Sequence, residues 1–350
     1  MEQGVREKVF PGAVVLVAVG ENICFFHACG FASLVTGRKM TRDTVFDLAS
    51  LTKPLATVPA LMKLADTSRM NPEDCAQQYV GELKGTDKCR ISIRDLLMHR
   101  GGFPDYRPWY LCVEKLCSEN RKPALREMLV QEPLAYPPGT QTLYSDLGFM
   151  LLEWIAERCA GIPLDQFVQQ EVYQPLGLKN LFFQNHRFFR TADFAATENC
   201  PWRGRVLEGE VHDENAWIAG GTAGHAGLFG TAADIFRVLS HMKKCLTRTC
   251  AVPLFAEKTV RYFLTQGKNG ERTPGFDVPS GDMPACGKFF SKNTVGHLGF
   301  TGTSFWMDLD KNVTVILLTN RIHPARENTQ IREFRPILHN TVMEELGMNR

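Results

Sequence analysis

The stretch FDLASLTKPLATVPALMKLA, residues 46–65, sets Ser50 three positions before Lys53. One helical turn separates such residues, so the lysine amine can return to the serine hydroxyl. A serine so placed is a candidate nucleophile for acyl transfer, provided that burial or a neighbouring cation makes the lysine basic. The apolar flanks favour burial. Ser50 follows the strand-like TVFDLA and opens a helix with Pro54 in its first turn. Free backbone N–H groups and the positive helix end there can hold a developing oxyanion. The spacing alone decides little. Ser240 and Lys243 repeat it inside a plain helical pattern, and serine is a common N-cap.

A serine–lysine pair needs a further proton-handling group and a strand edge to align substrate. PPGTQTLYSDLGFMLLEWIAE offers Tyr144 after a Pro-Gly turn, with Ser145 and Asp146 beside it at a helix start. VGHLGFTGTSFWMDL offers His297, Gly299, Thr301 and Gly302 in a strand rich in small residues. Glycine in a strand marks a bulge or a close backbone approach. In EVHDENAWIAGGTAGHAGLFGTAADI, Thr231 and Asp234 read as the N-cap and N3 acid of the following helix. The preceding glycine-rich segment suits neither helix nor strand interior; it reads either as backbone close to the pocket with His225 near the substrate or as a tight structural turn with His225 exposed. His212, Asp213 and Glu214 are consecutive, so they do not converge on one ion; they read as a solvated loop. The aromatic GFPDYRPWYLCVEK is expected at the rim of a cleft.

The chain has 350 residues, 44% hydrophobic and 22% charged, with a formal net charge of +2. This suits one large globular domain and offers no basic block for nucleic acid. Apolar runs such as 313–318 are far too short to span a membrane. No P-loop, dinucleotide glycine pattern or C-x-x-C pair occurs, so neither cofactor nor metal is expected. Eleven cysteines cannot all pair within the chain; they read as buried free thiols of a reducing compartment. With no signal-peptide pattern at the start, a cytoplasmic location is expected for this chain, or an exported one if a leader has been removed. Oligomeric state is not legible.

Hairpins are expected near both chain ends, turning at Gly20-Glu21-Asn22 and at Asp308 to Asn312. Three- and four-residue apolar spacing predicts helices in PLATVPALMKLAD, IRDLLMH, ALREMLVQ, LGFMLLEWIAERC and AADIFRVLSHMKKC. A last helix, IREFRPILHNTVMEEL, is expected to have Pro336 in its first turn. RKPALRE, AYPPGTQ and residues 182–217 read as loops. Strands at both ends with helices between imply an α+β architecture: an antiparallel sheet closed by the first and last segments, flanked by helices, with a helical subdomain inserted. The expected division is an α/β part over roughly 1–66 and 230–350 and a helical part over 67–229, together a single catalytic domain spanning 1–350.

Ser50-x-x-Lys53, Tyr144-Ser145-Asp146 and His297-Leu298-Gly299, in that order, resemble the serine β-lactamase and penicillin-binding protein superfamily, whose motifs include S-x-x-K. The likeness is closest to the class C β-lactamase-like branch of D,D-peptidases and esterases, and it extends through FPGAVVLVAVGE, IRDLLMHRGGFPDY, YQPLGLKN and AGLFGTAADIFRV over nearly the whole chain. The resemblance implies a β-lactamase/transpeptidase-like fold and hydrolysis through an acyl-enzyme. Ser50 is then the nucleophile, Lys53 and Tyr144 share the proton, and the N–H groups of Ser50 and Phe300 form the oxyanion hole. Two positions depart from the β-lactamase pattern. Asp146 stands where asparagine is usual, and His297-Leu298-Gly299 replaces K-T-G. A cation becomes a largely neutral imidazole, and a neutral amide becomes a carboxylate that favours protonated Lys53. Esters, or amides without an adjacent carboxylate, are therefore expected to be better substrates than β-lactams. The alternatives are a true β-lactamase or D,D-carboxypeptidase, and a non-catalytic sensor on the same fold. VHDENA with GHAGLF also resembles a subgroup tied to cell-wall turnover, including amidases of muramyl peptides. The implied partner is thus a small molecule or short peptide.

Overall fold

The computed structural model describes residues 1–185, 190, 192–265 and 272–349. After the short helix α1 (Glu2–Arg6), the β-branched run β1 (Gly12–Val19) turns back into β2 (Asn22–Ser33). Gly20 begins the turn at φ +63°, a conformation cheap only for glycine. Two short strands follow, β3 (Arg38–Lys39) and β4 (Phe46–Asp47). The chain then winds through a 3₁₀ turn at Ala49–Leu51 and a wide π turn at Lys53–Thr57 into α2 (Val58–Asp66). Pro59 explains the wide turn, because it has no N–H for the Leu55 carbonyl four residues back. The Tyr173 hydroxyl donates to that carbonyl instead, at 2.9 Å.

The long regular elements in the middle of the chain are helices: α3 (Ile93–Leu97), α4 (Tyr110–Val113), α5 (Ser118–Gln131), α6 (Asp146–Ala160) and α7 (Leu164–Val168). Next come β5 (Leu181–Phe183), β6 (Asn199–Cys200), β7 (Arg205–Val206), α8 (Glu214–Ile218) and β8 (Leu228–Gly230). The last third contains α9 (Ala232–Thr247), α10 (Glu257–Leu264), β9 (Thr294–Leu298), β10 (Ser304–Asp308), β11 (Val313–Thr319) and α11 (Ile331–Glu345).

The main sheet is antiparallel, in the order β3-β2-β1-β11-β10-β9. First and last strands close it as expected, with Ala13 opposite Thr319 and Val19 opposite Val313. Strand side chains alternate between faces, so a strand covered on both sides must be apolar throughout. Val14, Leu16 and Ala18 enter the large core with Ile316, Leu318 and the helices. Ala13, Val15 and Val17 enter a second core with Val315, Leu317 and α11 residues Ile331 and Met343. Each such buried valine or leucine side chain contributes about 1.5–3 kcal/mol. The small sheet β4-β8-β5 sits beside Ser50 and pairs Asp47 with Phe229.

Several expectations need correction. Residues 182–217 contain three short strands and the start of α8 rather than loop alone. RKPALRE lies inside α5, and Pro123 is interior to that helix. Pro336 is likewise interior, since α11 begins at Ile331. Each proline comes early enough in its helix to cost only one backbone bond. The glycine-rich segment ends in a true strand, β8. All eleven cysteines are free, but only Cys29, Cys200, Cys245 and Cys286 are buried. Among the described residues no helix is long and apolar enough to cross a membrane.

Candidate active site

Ser50 is carried by a constrained turn. Ala49, just before it, has φ +47°, a left-handed conformation that costs an alanine roughly 1–2 kcal/mol. Buried Asp47 holds the turn. Its carboxylate accepts from Ala49 N at 2.8 Å and from His212 N at 2.6 Å. Its backbone carbonyl accepts from the Thr301 hydroxyl at 2.8 Å. Burial pushes the Asp47 pKa upward against those two backbone donors. The Ala49 carbonyl accepts from Thr52 Oγ1 at 2.6 Å. In a planar trans peptide the Ser50 N–H therefore points the opposite way, away from that bond.

Lys53 is fully buried, and its ammonium meets three acceptors: Ser50 Oγ at 3.0 Å, Asp146 Oδ1 at 2.7 Å and the His225 carbonyl at 3.3 Å. Three donors on one ammonium fit three acceptors. Burial alone would lower the lysine pKa, but the Asp146 carboxylate outweighs it and the net shift is upward. Resting Lys53 is therefore a cation. The condition that a basic lysine must have a depressed pKa is not met. Asp146 is the first residue of α6, where the helix dipole favours an anion. Ser145 caps that helix by accepting from Gly148 N.

Tyr144 lies over this pair, its ring centroid 4.8 Å from Lys53 Nζ and 4.4 Å from the His99 ring. Burial raises its pKa, against hydrogen-bonding interactions with Lys53 and Ser50 that favour the phenolate. Resting Tyr144 is neutral. His99, which sequence reasoning passed over, anchors the segment by accepting from Ser145 N through Nδ1 at 3.1 Å.

His297 is buried on β9, with its ring 6.0 Å from that of Tyr144. Burial, then the charges of Lys53 and Arg272, hold its pKa well below the usual value. Nδ1 lies 2.9 Å from the Leu298 carbonyl. The proton is thus on Nδ1, and Nε2 is a buried acceptor with no partner among the described residues. Arg272, also missed, lies 5.8 Å from the Tyr144 ring and pairs with Asp277. It stands in a stretch with no motif to announce it.

A Cβ on Gly299 would lie 2.1 Å from Thr303 Oγ1 and 2.7 Å from the Leu48 carbonyl. The close approach is thus to the Ser50 turn itself. The Gly299 carbonyl accepts from Gly302 N at 3.1 Å inside its own turn, so the Phe300 N–H points outward from it. Phe300 is half exposed and lines the cleft with Gly299. Thr301 is buried, bonded to Asp47 and absent from the lining. Its hydroxyl supports the Ser50 turn instead of facing substrate.

His225 lines the cleft, and its Nε2 lies 3.1 Å from Asp213 Oδ1. Burial opposes its charge, but Asp213 raises its pKa overall. Its Nδ1 is buried and has no partner among the described residues. His212, Asp213 and Glu214 are not a solvated loop. His212 pairs with Glu198, Asp213 with His225, and Glu214 with Arg326. His212 and Glu214 join one network through Glu198 and Arg326, which pair with each other, while Asp213 faces His225. Tyr106, Pro108 and Tyr110 of the aromatic stretch line the cleft, whose volume is about 940 Å³.

Ser240 and Lys243 lie on α9 away from the cleft, with Lys243 Nζ on the Gly20 carbonyl at 3.2 Å. His241, Cys245 and Cys250 bring ligand-type atoms within 4.8 Å of one another. However, His241 Nε2 accepts from Leu254 N at 3.0 Å. Its proton is thus on Nδ1, facing Cys250 Sγ at 3.8 Å, which is a hydrogen bond and not a metal-ready geometry.

The family model described as Beta-lactamase matches residues 1–337. The chain belongs to the β-lactamase family. It is a hydrolase of that family with the β-lactamase/transpeptidase-like fold. Curated relatives include a protein of Escherichia coli K12 named "Putative D-alanyl-D-alanine carboxypeptidase", 33% identical over 362 residues covering 92% of this chain and 82% of that protein. A protein of the same name from Salmonella agona is 33% identical over 356 residues, covering 92% and 81%. Among solved structures, EstCE1, "a hydrolase with promiscuous acyltransferase activity", superposes with TM-score 0.72 at 23% identity over 96% of both chains. A penicillin-binding protein from Bacillus halodurans superposes with TM-score 0.71 at 18% identity, over 96% of this chain and 99% of that one. At these identities the structural likenesses speak for the β-lactamase-family fold alone.

Proposed function

We propose that this chain is a serine hydrolase that cleaves esters or amides through an acyl-enzyme on Ser50. The carrying observation is that one buried nitrogen, Lys53 Nζ, donates to both Ser50 Oγ and Asp146 Oδ1. Ser50 attacks the carbonyl carbon while its proton passes to Lys53, which hands one of its own to Asp146. The carbonyl oxygen takes the negative charge opposite the N–H groups of Ser50 and Phe300. When the carbon–leaving-group bond breaks, the leaving group takes the Tyr144 proton, and the Lys53–Asp146 pair restores it. Water then attacks the acyl carbon by the same proton route in reverse, and Ser50 is regenerated. His225 offers its Nδ1–H to a polar substrate group beside this centre, and Gly299 gives the backbone room. Residues 1–350 act as one catalytic domain, with the helical part 67–229 set against the α/β part.

Neutral His297 in place of a lysine, with Arg272 already paired to Asp277, supports substrates without a carboxylate beside the reacting carbonyl. A second reading, D,D-carboxypeptidase activity, is favoured by the name shared by the curated relatives. The test compares turnover of a short-chain p-nitrophenyl ester, a chromogenic cephalosporin and an acyl-D-Ala-D-Ala peptide, with Ser50→Ala as the blank. Ester turnover well above the others supports the first reading. Efficient peptide cleavage with weak esterase activity supports the second, and efficient cephalosporin turnover without esterase activity defeats the first.

A further inference from the structure

The charges of the cleft divide unevenly. Lys53 is paired with Asp146, His225 with Asp213, Arg272 with Asp277, and Arg326 with Glu198 and Glu214. Three more guanidinium groups line the same cleft, those of Arg321, Arg332 and Arg335. Among the described residues, none of the three has a carboxylate partner.

Their donors are engaged to different degrees. Arg321 gives Nε and Nη2 to the Phe300 carbonyl and Nη1 to the Arg326 and Asn328 carbonyls. It fixes the loop beside the oxyanion-hole residue and adds charge. Arg335 is buried; Nη2 donates to the Thr303 carbonyl at 2.9 Å, while Nε is buried without a partner. Arg332 is exposed. Arg332 and Arg335 stand one turn apart in the first half of α11 and so share a face. That end of a helix disfavours cations. Burial, and then repulsion from Arg321 and Arg332, lower the Arg335 pKa to about 9. A buried, unpaired donor and three like charges on one wall all find relief in one bound anion.

We infer that Arg332 and Arg335, positioned with Arg321, form an anion subsite that takes an oxyanion group carried by the substrate at a distance from its reacting carbonyl. Carboxylate and phosphate share the needed chemistry, bidentate acceptance from guanidinium groups. Half-exposed Phe300, with Arg321 4.8 Å from its ring, adds an apolar surface to the same cleft. The substrate is thus an ester or amide with an apolar stem and a remote negative charge. This rests on the serine-hydrolase reading above and specifies its substrate class.

The test pairs two p-nitrophenyl esters of adipic acid, one with its far end a free carboxylate and one with it methylated. The wild-type protein should favour the carboxylate by about tenfold in kcat/KM at low salt, the scale of one charge-assisted hydrogen bond. Arg332→Gln should shrink that ratio toward one, and Arg332→Glu should invert it. Arg332 is exposed, so both variants should keep the wild-type melting temperature; Arg335→Gln serves as a second variant if it folds. Inorganic phosphate should raise the wild-type Tm and inhibit the carboxylate ester competitively, with both effects reduced in Arg332→Gln. Phosphate acting this way without any carboxylate preference would overturn the substrate assignment. Equal kcat/KM for the two esters and no effect of phosphate, with turnover abolished in Ser50→Ala, overturns the subsite alone. Turnover that survives Ser50→Ala overturns the nucleophile instead, and the phosphate Tm shift and its loss in Arg332→Gln then decide the subsite.

Discussion

The Asp146 carboxylate lies 2.7 Å from the Lys53 ammonium, on the same nitrogen that donates to Ser50 at 3.0 Å. The aspartate thus sets the charge of the lysine, and through it the fate of the serine proton. Asp146→Asn removes the influence that keeps the Lys53 pKa raised and leaves burial to lower it. The kinetic ionisation that reports Lys53 should move to lower pH. A pH profile of kcat/KM measures this, and an unmoved alkaline limb would contradict it. In the wild type, the stabilisation from this raised pKa is complete below the ordinary lysine value and fades as pH rises through the folded value. The variant should lack that alkaline loss.

Asp47 accepts two backbone N–H groups at the turn that holds strained Ala49. Asp47→Ala strands both donors, at about 1–3 kcal/mol. Urea unfolding should show the loss. Labelling of Ser50 by a fluorophosphonate should slow more than unfolding accounts for. Labelling at the wild-type rate in folded Asp47→Ala would remove Asp47 from any part in positioning Ser50.

Gly299→Ala asks a methyl group to occupy space 2.1 Å from Thr303 Oγ1. The Phe300 turn must move, so kcat should fall on the order of 10²-fold, the scale of losing one oxyanion donor. The KM of a small ester should change far less. Comparing the two parameters checks this, and a loss confined to KM would count against Phe300 as an oxyanion-hole donor.

His339 is fully buried, and burial lowers its pKa to about 4. The unfolded chain binds the proton first as pH falls below about 6.5. Stability from this residue is therefore present above pH 6.5 and is lost as pH falls toward about 4. The loss is on the order of 3 kcal/mol. Denaturant unfolding at pH 7 and pH 4.5 should show a smaller difference for His339→Gln than for wild type. An equal difference would place the acid sensitivity elsewhere, in His99 or His297.

The sheet closed by the chain ends was legible because β1 and β11 are apolar on both faces, and long amphipathic helices such as α6 and α9 followed from their spacing. Prolines misled in α5 and α11, since one lost backbone bond early in a helix is tolerated. Ser50, Tyr144, Asp146 and His297, far apart in the chain, line one cleft, and buried Lys53 bonds to Ser50 and Asp146. Asp47, His99 and Arg272 were not legible. A buried acid at a strand end, a histidine bonded to a helix cap and an arginine in an unpatterned loop gain meaning only from neighbours distant in sequence. The exchange of charge between Lys53 and Asp146 was readable in direction, but its outcome needed the 2.7 Å contact.

The most direct measurement is the mass of the intact protein during turnover of a slow ester, followed by peptide mapping. An added acyl mass on the peptide containing Ser50, absent from Ser50→Ala, is the predicted result. Folded, ester-cleaving protein that carries no such adduct, or carries it at Ser240 or another residue, would contradict the acyl-enzyme on Ser50.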